Sequence, residues 1–262
     1  MKRYLNVYVR LWKMSLQSLL IYRANFVNSL MASLSWGMFS VVSILLLTSK
    51  TNTIYGWTKT EILLLTCAYQ ILIGVFHTLF SRNFERMAQI INLAELDSLL
   101  TKPLDSQFML SMWQVNYTSL IRIVLGIIFI GYFTKNAAIH LNAGILFLFG
   151  LLLVIGIILL YSIWYIVATL IIWFPRMSNV IELMYTVSGI SRYPGEMYKN
   201  ALGLIFFFLL PVTLIVTTPV RFLVAKVNVE DIFLLSIFAL SFLFISRKFW
   251  KFALRFYTSA SS

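Results

Sequence analysis

The feature that most constrains this chain is its long runs of uncharged, apolar residues. One run, residues 142–174, contains no Asp, Glu, Lys or Arg. About 18–20 apolar residues in a helix cross the hydrocarbon layer of a bilayer, which is about 30 Å thick. The run does not alternate between polar and apolar residues, as the strands of a membrane barrel do. Lipid offers no hydrogen-bond partners, and a helix pairs its backbone groups within one segment. We therefore predict spanning helices.

Composition excludes a soluble globular fold. The 262 residues are 60% hydrophobic and 11% charged, whereas a soluble domain carries roughly 25% charged residues. The net charge of +12 is interpreted as basic flanks of membrane spans, and no nucleic-acid partner is predicted. No G-x-x-x-x-G-K-[ST] motif for nucleotide phosphates occurs. With 9 acidic residues and 2 histidines, the chain offers little material for general acid–base catalysis, so we expect no enzyme.

The hydropathy pattern predicts an all-α, polytopic helix bundle formed by one domain. Predicted spans are residues 24–49, 61–80, 111–133, 142–174, 178–192 and 231–247. Residues 1–23 have basic and polar positions on one face and aromatic and apolar positions on the other, which predicts an amphipathic helix at the membrane interface. Thr58 and Glu61 fit a capping box at the start of the second span.

The distribution of basic residues sets the predicted topology. Thirteen of the 21 Lys and Arg residues lie in the amino terminus, residues 82–108, Arg176 and the carboxyl tail. Basic flanks favour the cytoplasmic side, so both termini are expected there and the number of crossings is even. Six crossings leave one of the two apolar pieces, 178–192 or 201–220, as a segment that enters and returns.

Residues 82–108, called the polar segment below, form the longest charged interruption of the chain. Its apolar positions Ile90, Ile91, Leu93, Leu96, Leu99 and Leu100 predict one short helix over residues 84–100, which Pro103 ends. We interpret this segment as the place where the membrane part meets a soluble partner.

Three polar residues fall within or near predicted spans. Arg122 is expected to reach the headgroups or to pair with the polar segment, and a role in a transport pathway is the alternative. Asn116 lies in the same polar half of the third span. Glu182 is an acidic residue inside the predicted span 178–192.

The polar segment contains LDSLLTKPLD at residues 96–105. This sequence resembles the loop after the second span in permease subunits of type-2 ABC exporters, and more narrowly the stand-alone permeases of this length. Further similarities follow in order along the chain: Tyr22-Arg23-Ala24, Phe174, Arg192-Tyr193-Pro194, Pro211, Pro219 and residues 257–261. The first external loop is shorter than in many members of that group.

The resemblance implies a six-helix permease with an interface helix, a cytoplasmic coupling helix and re-entrant helices before the last span. It places coupling to an ATPase on Glu95, Leu96, Asp97, Leu99, Leu100, Lys102 and Pro103. It also implies that residues 178–192 form the fifth span and that residues 201–220 do not cross. The reverse assignment of these two pieces stays open.

The function expected from these observations is the membrane permease of an ATP-driven exporter in the inner membrane. Its expected partners are a separate ABC ATPase, a second permease that is identical or paralogous, and the lipid bilayer. The chain itself is expected to hold no cofactor, because ATP and Mg²⁺ belong to the ATPase. An ion-coupled secondary transporter and a membrane scaffold without transport activity are the alternatives.

Overall fold

The chain folds into a bundle of helices joined by short connections. The computed structural model describes residues 2–50, 53–93, 95–174, 179–198 and 203–257, with residues 2–3 and 203–209 described by their backbone alone. The helices are α1 (Lys2–Ile21), α2 (Arg23–Leu47), α3 (Lys59–Phe76), α4 (Arg82–Asn92), α5 (Asp97–Leu100), α6 (Ser106–Ser111), α7 (Leu120–Asn136), α8 (Ala143–Thr169), α9 (Val180–Ile190), α10 (Gly203–Leu223) and α11 (Val229–Ala253). Strands β1 (Thr53–Ile54) and β2 (Trp57–Thr58) form a small antiparallel hairpin.

Five helices within the described ranges are long and apolar enough to cross a membrane. They are Arg23–Leu47, Lys59–Asn92, Tyr117–Asn136, Ala143–Ile172 and Val229–Ala253. Each overlaps one of the predicted spans, and the predicted all-α membrane fold is confirmed. Val180–Ile190 is a shorter apolar helix, and so is Leu210–Leu223, the part of α10 whose side chains the structure describes.

The second span is longer than predicted. A π-helical segment, His77–Ser81, joins α3 to α4, so that one helix runs for 34 residues from Lys59 to Asn92. At about 1.5 Å per residue it is about 50 Å long, which exceeds the hydrocarbon layer of about 30 Å. The predicted boundary near residue 80 is therefore not a helix boundary, because a helix can continue into water beyond the lipid.

The amphipathic helix α1 packs against the polar segment and the start of α7. The Tyr4 ring meets Phe108 edge-on at 5.0 Å, and the Tyr117 hydroxyl donates a hydrogen bond to the Trp12 carbonyl at 3.0 Å. Because these contacts are aromatic and polar, they suit the headgroup boundary of a bilayer.

Glycines allow the central helices to approach closely. A Cβ on Gly74 of α3 would lie 2.8 Å from Ile123 Cγ1 of α7, and one on Gly126 of α7 would lie 2.9 Å from the Cys67 carbonyl of α3. Small residues serve this purpose in membrane bundles, where packing must replace the hydrophobic effect.

The bundle has two ends, which the contacts define. The hairpin end holds β1–β2 and the Thr58–Glu61 capping box, which the structure confirms. Lys226, in the α10–α11 connection, pairs with Glu61 at 2.8 Å there. The opposite, polar-segment end holds the carboxyl ends of α8 and α11, where Trp173 and Phe249 lie 5.6 Å apart.

Residues 180–196 run from the polar-segment end towards the hairpin end. Tyr185 of α9 reaches Glu85 of α4 at 2.5 Å, whereas Glu196 accepts from Trp57 at the hairpin end. Helix α9 has 11 residues, about 16 Å, so the piece predicted at 178–192 is too short to cross as one helix. Arg221, near the end of α10, pairs with Glu196 and with Asp231 at the start of α11.

Candidate functional site

Two helical pieces, α4 and α5, occupy the part of the polar segment where a single helix is predicted over residues 84–100. Helix α4 ends at Asn92, and α5 is one turn, Asp97–Leu100. The prediction was wrong because α4 is the continuation of the second span, which the sequence pattern did not separate from the turn that follows. We call residues 95–103 the coupling turn, after the role that the sequence predicts for them.

The leucines of the coupling turn face in two directions. Leu96 is 0% exposed and Leu99 is buried beside it in the hydrophobic core. Leu100 is 38% exposed, and Glu95 and Pro103 are exposed as well. The turn therefore rests on Leu96 and Leu99, and a partner can contact Glu95, Leu100 and Pro103.

The Trp113 ring, which follows α6, connects the coupling turn to α4. The Arg86 guanidinium lies 4.3 Å from the centre of the Trp113 ring, and the Lys102 ammonium lies 4.6 Å from it. Each cation–π contact contributes about 0.5–1 kcal/mol at a partly exposed site. Of the other predicted coupling residues, Asp97 begins α5.

Asp105 connects the coupling turn to the last helix. Its carboxylate accepts from the Phe108 amide at 3.0 Å as the N-cap of α6 and forms an ion pair with Arg247 of α11. Arg247 also donates to Gln107 at 3.1 Å. Burial alone would raise the pKa of the Asp105 carboxyl, but the hydrogen bonds from Arg247 and from the backbone outweigh it and lower the pKa.

Helix α6 is also joined to α8 and to the end of α11. Tyr161 of α8 shares hydrogen bonds with Gln107 at 3.2 Å and Ser111 at 2.8 Å. The Trp250 indole donates to the Ser106 hydroxyl at 2.9 Å. Any displacement of the coupling turn that moves α6 is therefore transmitted to two spanning helices.

A cavity of about 740 Å³ lies between α2, α3, α7 and the α9 region. The residues that line it include Trp36, Phe39, Gln70, His77, Arg122, Glu182, Arg192 and Tyr193. Along the α3–α4 helix the lining runs from Tyr69 to His77, about 12 to 24 Å from Glu61. These residues lie inside the predicted second span, so the cavity is at the depth expected for the hydrocarbon layer.

Several polar groups at this cavity lack a partner. The Nε atoms of Arg122 and Arg192, Gln70 Oε1 and His77 Nε2 are buried and have no hydrogen bond within the described ranges. No described carboxylate lies within 4.0 Å of either guanidinium. The expected ion pair between Arg122 and the polar segment is therefore not formed by described residues, and Arg122 lines the cavity instead.

The two other predicted intramembrane residues, Glu182 and Asn116, lie at different places in the bundle. Glu182 lines the same cavity as Arg122, with its side chain exposed. Asn116 lies outside it and bonds within its own turn, donating to Ser119 at 3.1 Å and accepting from Thr118 at 2.7 Å.

Sequence reasoning missed Gln70 and Arg192 as cavity residues. Gln70 is 4% exposed, and a buried amide inside an apolar run was a usable signal. Arg192 contributed to the family resemblance, but the spacing along the chain gave no indication that it would meet Arg122.

The long α3–α4 helix connects the cavity with the polar segment. Tyr185 of α9 contacts the His77 ring edge-on at 5.4 Å and donates to Glu85 at 2.5 Å. One side chain of α9 therefore touches both the cavity wall and the helix that leads to the coupling turn.

Comparison with known proteins gives one family. The family model described as ABC-2 family transporter protein matches residues 34–261. The matched part includes the polar segment and the residues that line the cavity. No curated protein and no solved structure gives a match.

Proposed function

The chain belongs to the ABC-2 transporter family, and we propose that it is the membrane-spanning permease of an ATP-driven exporter whose ATPase is a separate chain. Membership implies an ABC ATPase as a partner and a lipid bilayer as the surroundings. ATP and Mg²⁺ would be held by the ATPase, and this chain would hold no cofactor and would not carry out the hydrolysis.

The observation that carries this proposal is the construction of the coupling turn. Leu100 and Glu95 are exposed on a turn that buried Leu96 and Leu99 hold in place. An apolar side chain next to a carboxylate on a supported turn suits insertion into a cleft on a soluble protein. Exposure of Leu100 to water would otherwise bring no gain in stability.

Closure of the ATPase would act on the permease through two connections. Asp105 and α6 lead to α11 through Arg247 and to α8 through Tyr161. Helix α4 leads directly into α3 and so to the cavity. The cavity is then the best-placed part of the chain to form the translocation pathway.

The proposed topology has six crossings, with both termini and the polar segment in the cytoplasm of a cell with an inner membrane. Five crossings are the long helices, and residues 180–223 together form the sixth, because they start near α4 and end at the hairpin end. Part of this stretch would be re-entrant. A second permease subunit would complete the pathway, because the cavity opens beside the exposed Trp36 and Phe39 of α2.

The experiment that tests this function is mild extraction of the tagged chain from its native membrane. We expect an ABC ATPase to co-purify, with ATP hydrolysis that vanadate inhibits. Leu100→Asp should abolish the co-purified hydrolysis while the yield of folded permease is unchanged.

Two variants serve as controls. Val229→Asp alters a residue that is 76% exposed at the hairpin end, and we expect it to retain the ATPase. Leu96→Asp buries a carboxylate at a cost of several kcal/mol, so it should reduce the folded yield itself. Two results would contradict the proposal. One is a wild-type chain that purifies without an ABC ATPase, and the other is Leu100→Asp that retains ATP hydrolysis as Val229→Asp does.

A further inference from the structure

The intramembrane cavity is lined by cationic side chains that apolar material could not neutralise. Arg122 and Arg192 line it, and the described carboxylate that lines it, Glu182, lies beyond ion-pair distance of both. Arginine remains protonated under all physiological conditions. Two guanidiniums therefore face a space at the depth of the hydrocarbon layer without a described counter-charge.

We propose that this cavity binds the anionic group of an amphipathic molecule, a phosphate or a carboxylate carried on an apolar body. The inference rests on the proposed function in that it names the class of molecule the permease would move. A charge inside the membrane is costly unless another group neutralises it, and a bound anion supplies that group.

The unpartnered atoms match this class of ligand. A guanidinium presents N–H donors in a planar fork, which suits the two oxygens of a carboxylate or phosphate. The Nε atoms of Arg122 and Arg192 are both buried without an acceptor among the described residues. The buried Gln70 amide, which is 4% exposed and also lacks a partner at its oxygen, can fix the orientation of a hydroxyl or a protonated oxygen on the same ligand.

The remaining walls suit an apolar body. Trp36 and Phe39 of α2 line the cavity and are exposed on the outer face of the helix. Tyr193 stacks beside Arg192, whose guanidinium lies 5.0 Å from the centre of its ring. The unpartnered atoms of Gln70 and the two arginines are buried, whereas the Trp36 and Phe39 rings are exposed, so an amphipath would enter past the rings with its anionic group first.

Glu182 of a second copy is the competing source of negative charge. The Glu182 side chain is exposed at the opening, where a second copy could present it to the arginines. If that were so, Glu182→Gln would weaken association of the two copies and would leave two free cations. On our proposal Glu182→Gln raises the affinity for an anion, because it removes a like charge near the site.

The test uses the full chain in nanodiscs of phosphatidylcholine without any ATPase. Dodecyl phosphate is the anionic probe, and dodecylphosphocholine and dodecyltrimethylammonium are its zwitterionic and cationic counterparts. Binding is followed by isothermal titration calorimetry. We expect selective binding of dodecyl phosphate, weakened roughly ten- to a hundredfold by Arg122→Gln or Arg192→Gln, since each removes hydrogen bonds to a charged group.

Arg82→Gln is the matched control. It removes the same charge from a residue that lines a different pocket, beside α1, and should leave the affinity unchanged. Arg122→Lys keeps the positive charge but lacks the planar guanidinium. We therefore expect it to bind dodecyl phosphate more tightly than Arg122→Gln does, and this comparison holds even if both variants fold less well than the wild type. Equal binding of the three probes, or an equal loss in Arg82→Gln, would overturn the proposal.

A second arm identifies the source of the anion. Phosphatidic acid added to the nanodiscs should compete with dodecyl phosphate if the ligand is a membrane lipid, and should not compete if the site takes a soluble amphipath; either result supports the anion site. Absence of dodecyl phosphate binding with or without the lipid counts against it. Because no ATPase is present, failure of the coupling experiment above leaves this result intact, and the reverse also holds.

Discussion

The close contact between α3 and α7 gives a prediction whose size can be worked out from the structure. Gly126→Ala would place a methyl group 2.6 Å from Ile71 Cγ1 and 2.9 Å from the Cys67 carbonyl oxygen. Carbon atoms pack best at about 3.5–4.0 Å, so the two helices must separate by about 1 Å at this point. Backbone atoms form part of the contact and cannot rotate away.

Overpacking of this kind costs about 1–3 kcal/mol. Alanine also improves helix propensity by about 0.8–1.0 kcal/mol over glycine, which would hide part of the cost. Gly131→Ala corrects for this gain, because Gly131 lies on the same helix and a Cβ there meets nothing within 4 Å. The difference between the two variants should therefore be the packing cost alone, about 1–3 kcal/mol.

The measurement is unfolding of each variant in mixed micelles with rising SDS, followed by tryptophan fluorescence. We expect Gly126→Ala to unfold at lower SDS than the wild type and Gly131→Ala at the same or higher SDS. Identical unfolding curves for the two variants would refute the packing argument and the helix spacing on which it depends.

Two ion-pair predictions can be checked in the same way. Arg221→Gln leaves both Glu196 and Asp231 without their cation in a partly buried site, and should lower the free energy of unfolding by about 1–3 kcal/mol, whereas Glu196→Gln should cost less because Arg221 keeps Asp231. Asp105→Asn keeps a side-chain oxygen that can cap α6 but removes the ion pair with Arg247, at a cost of up to about 1 kcal/mol after solvent screening. Because the pKa of Asp105 is lowered in the folded state, its contribution is present above the unfolded pKa of about 4 and is lost as the pH falls through the lowered value. The difference between wild type and Asp105→Asn should thus be constant from neutral pH to about pH 5 and vanish in stronger acid, and a difference that disappears at neutral pH would contradict the assignment.

The class of fold could be predicted because it depends on local properties of the sequence. A long run of uncharged, apolar residues predicts a spanning helix, as in residues 142–174. A capping box such as Thr58–Glu61 depends only on two residues that are three positions apart. The even number of crossings and the cytoplasmic location of the termini remain predictions, because they follow from the distribution of basic residues relative to a bilayer and not from contacts within the bundle.

Features that depend on contacts between distant segments were missed. The sequence showed that Leu96 and Leu100 are apolar, but only packing against the core decides that the first is buried and the second exposed. In the same way, Arg122 and Arg192 are seventy residues apart in the chain, and only the packing of distant segments brings them to one cavity.

The π-helical segment between α3 and α4 sets the rotational phase of the long helix. Residues eight apart in a regular α-helix differ by about 80° around the axis. The wide turn takes up most of this difference, so that the rings of Phe76 and Phe84 stack at 15° and both meet Trp164, at 5.1 and 5.6 Å. A regular helix with the same sequence would turn Phe84 away from Trp164.

The same alignment holds on the side that faces α9. His77 and Glu85 are also eight residues apart, and both contact Tyr185. If this turn tightened to regular α-helical geometry while the ATPase worked, α4 would rotate about its own axis by roughly 80° relative to α3. Motion of the coupling turn would then reach the cavity as a rotation of α4, and Tyr185 would lose its contact with either His77 or Glu85.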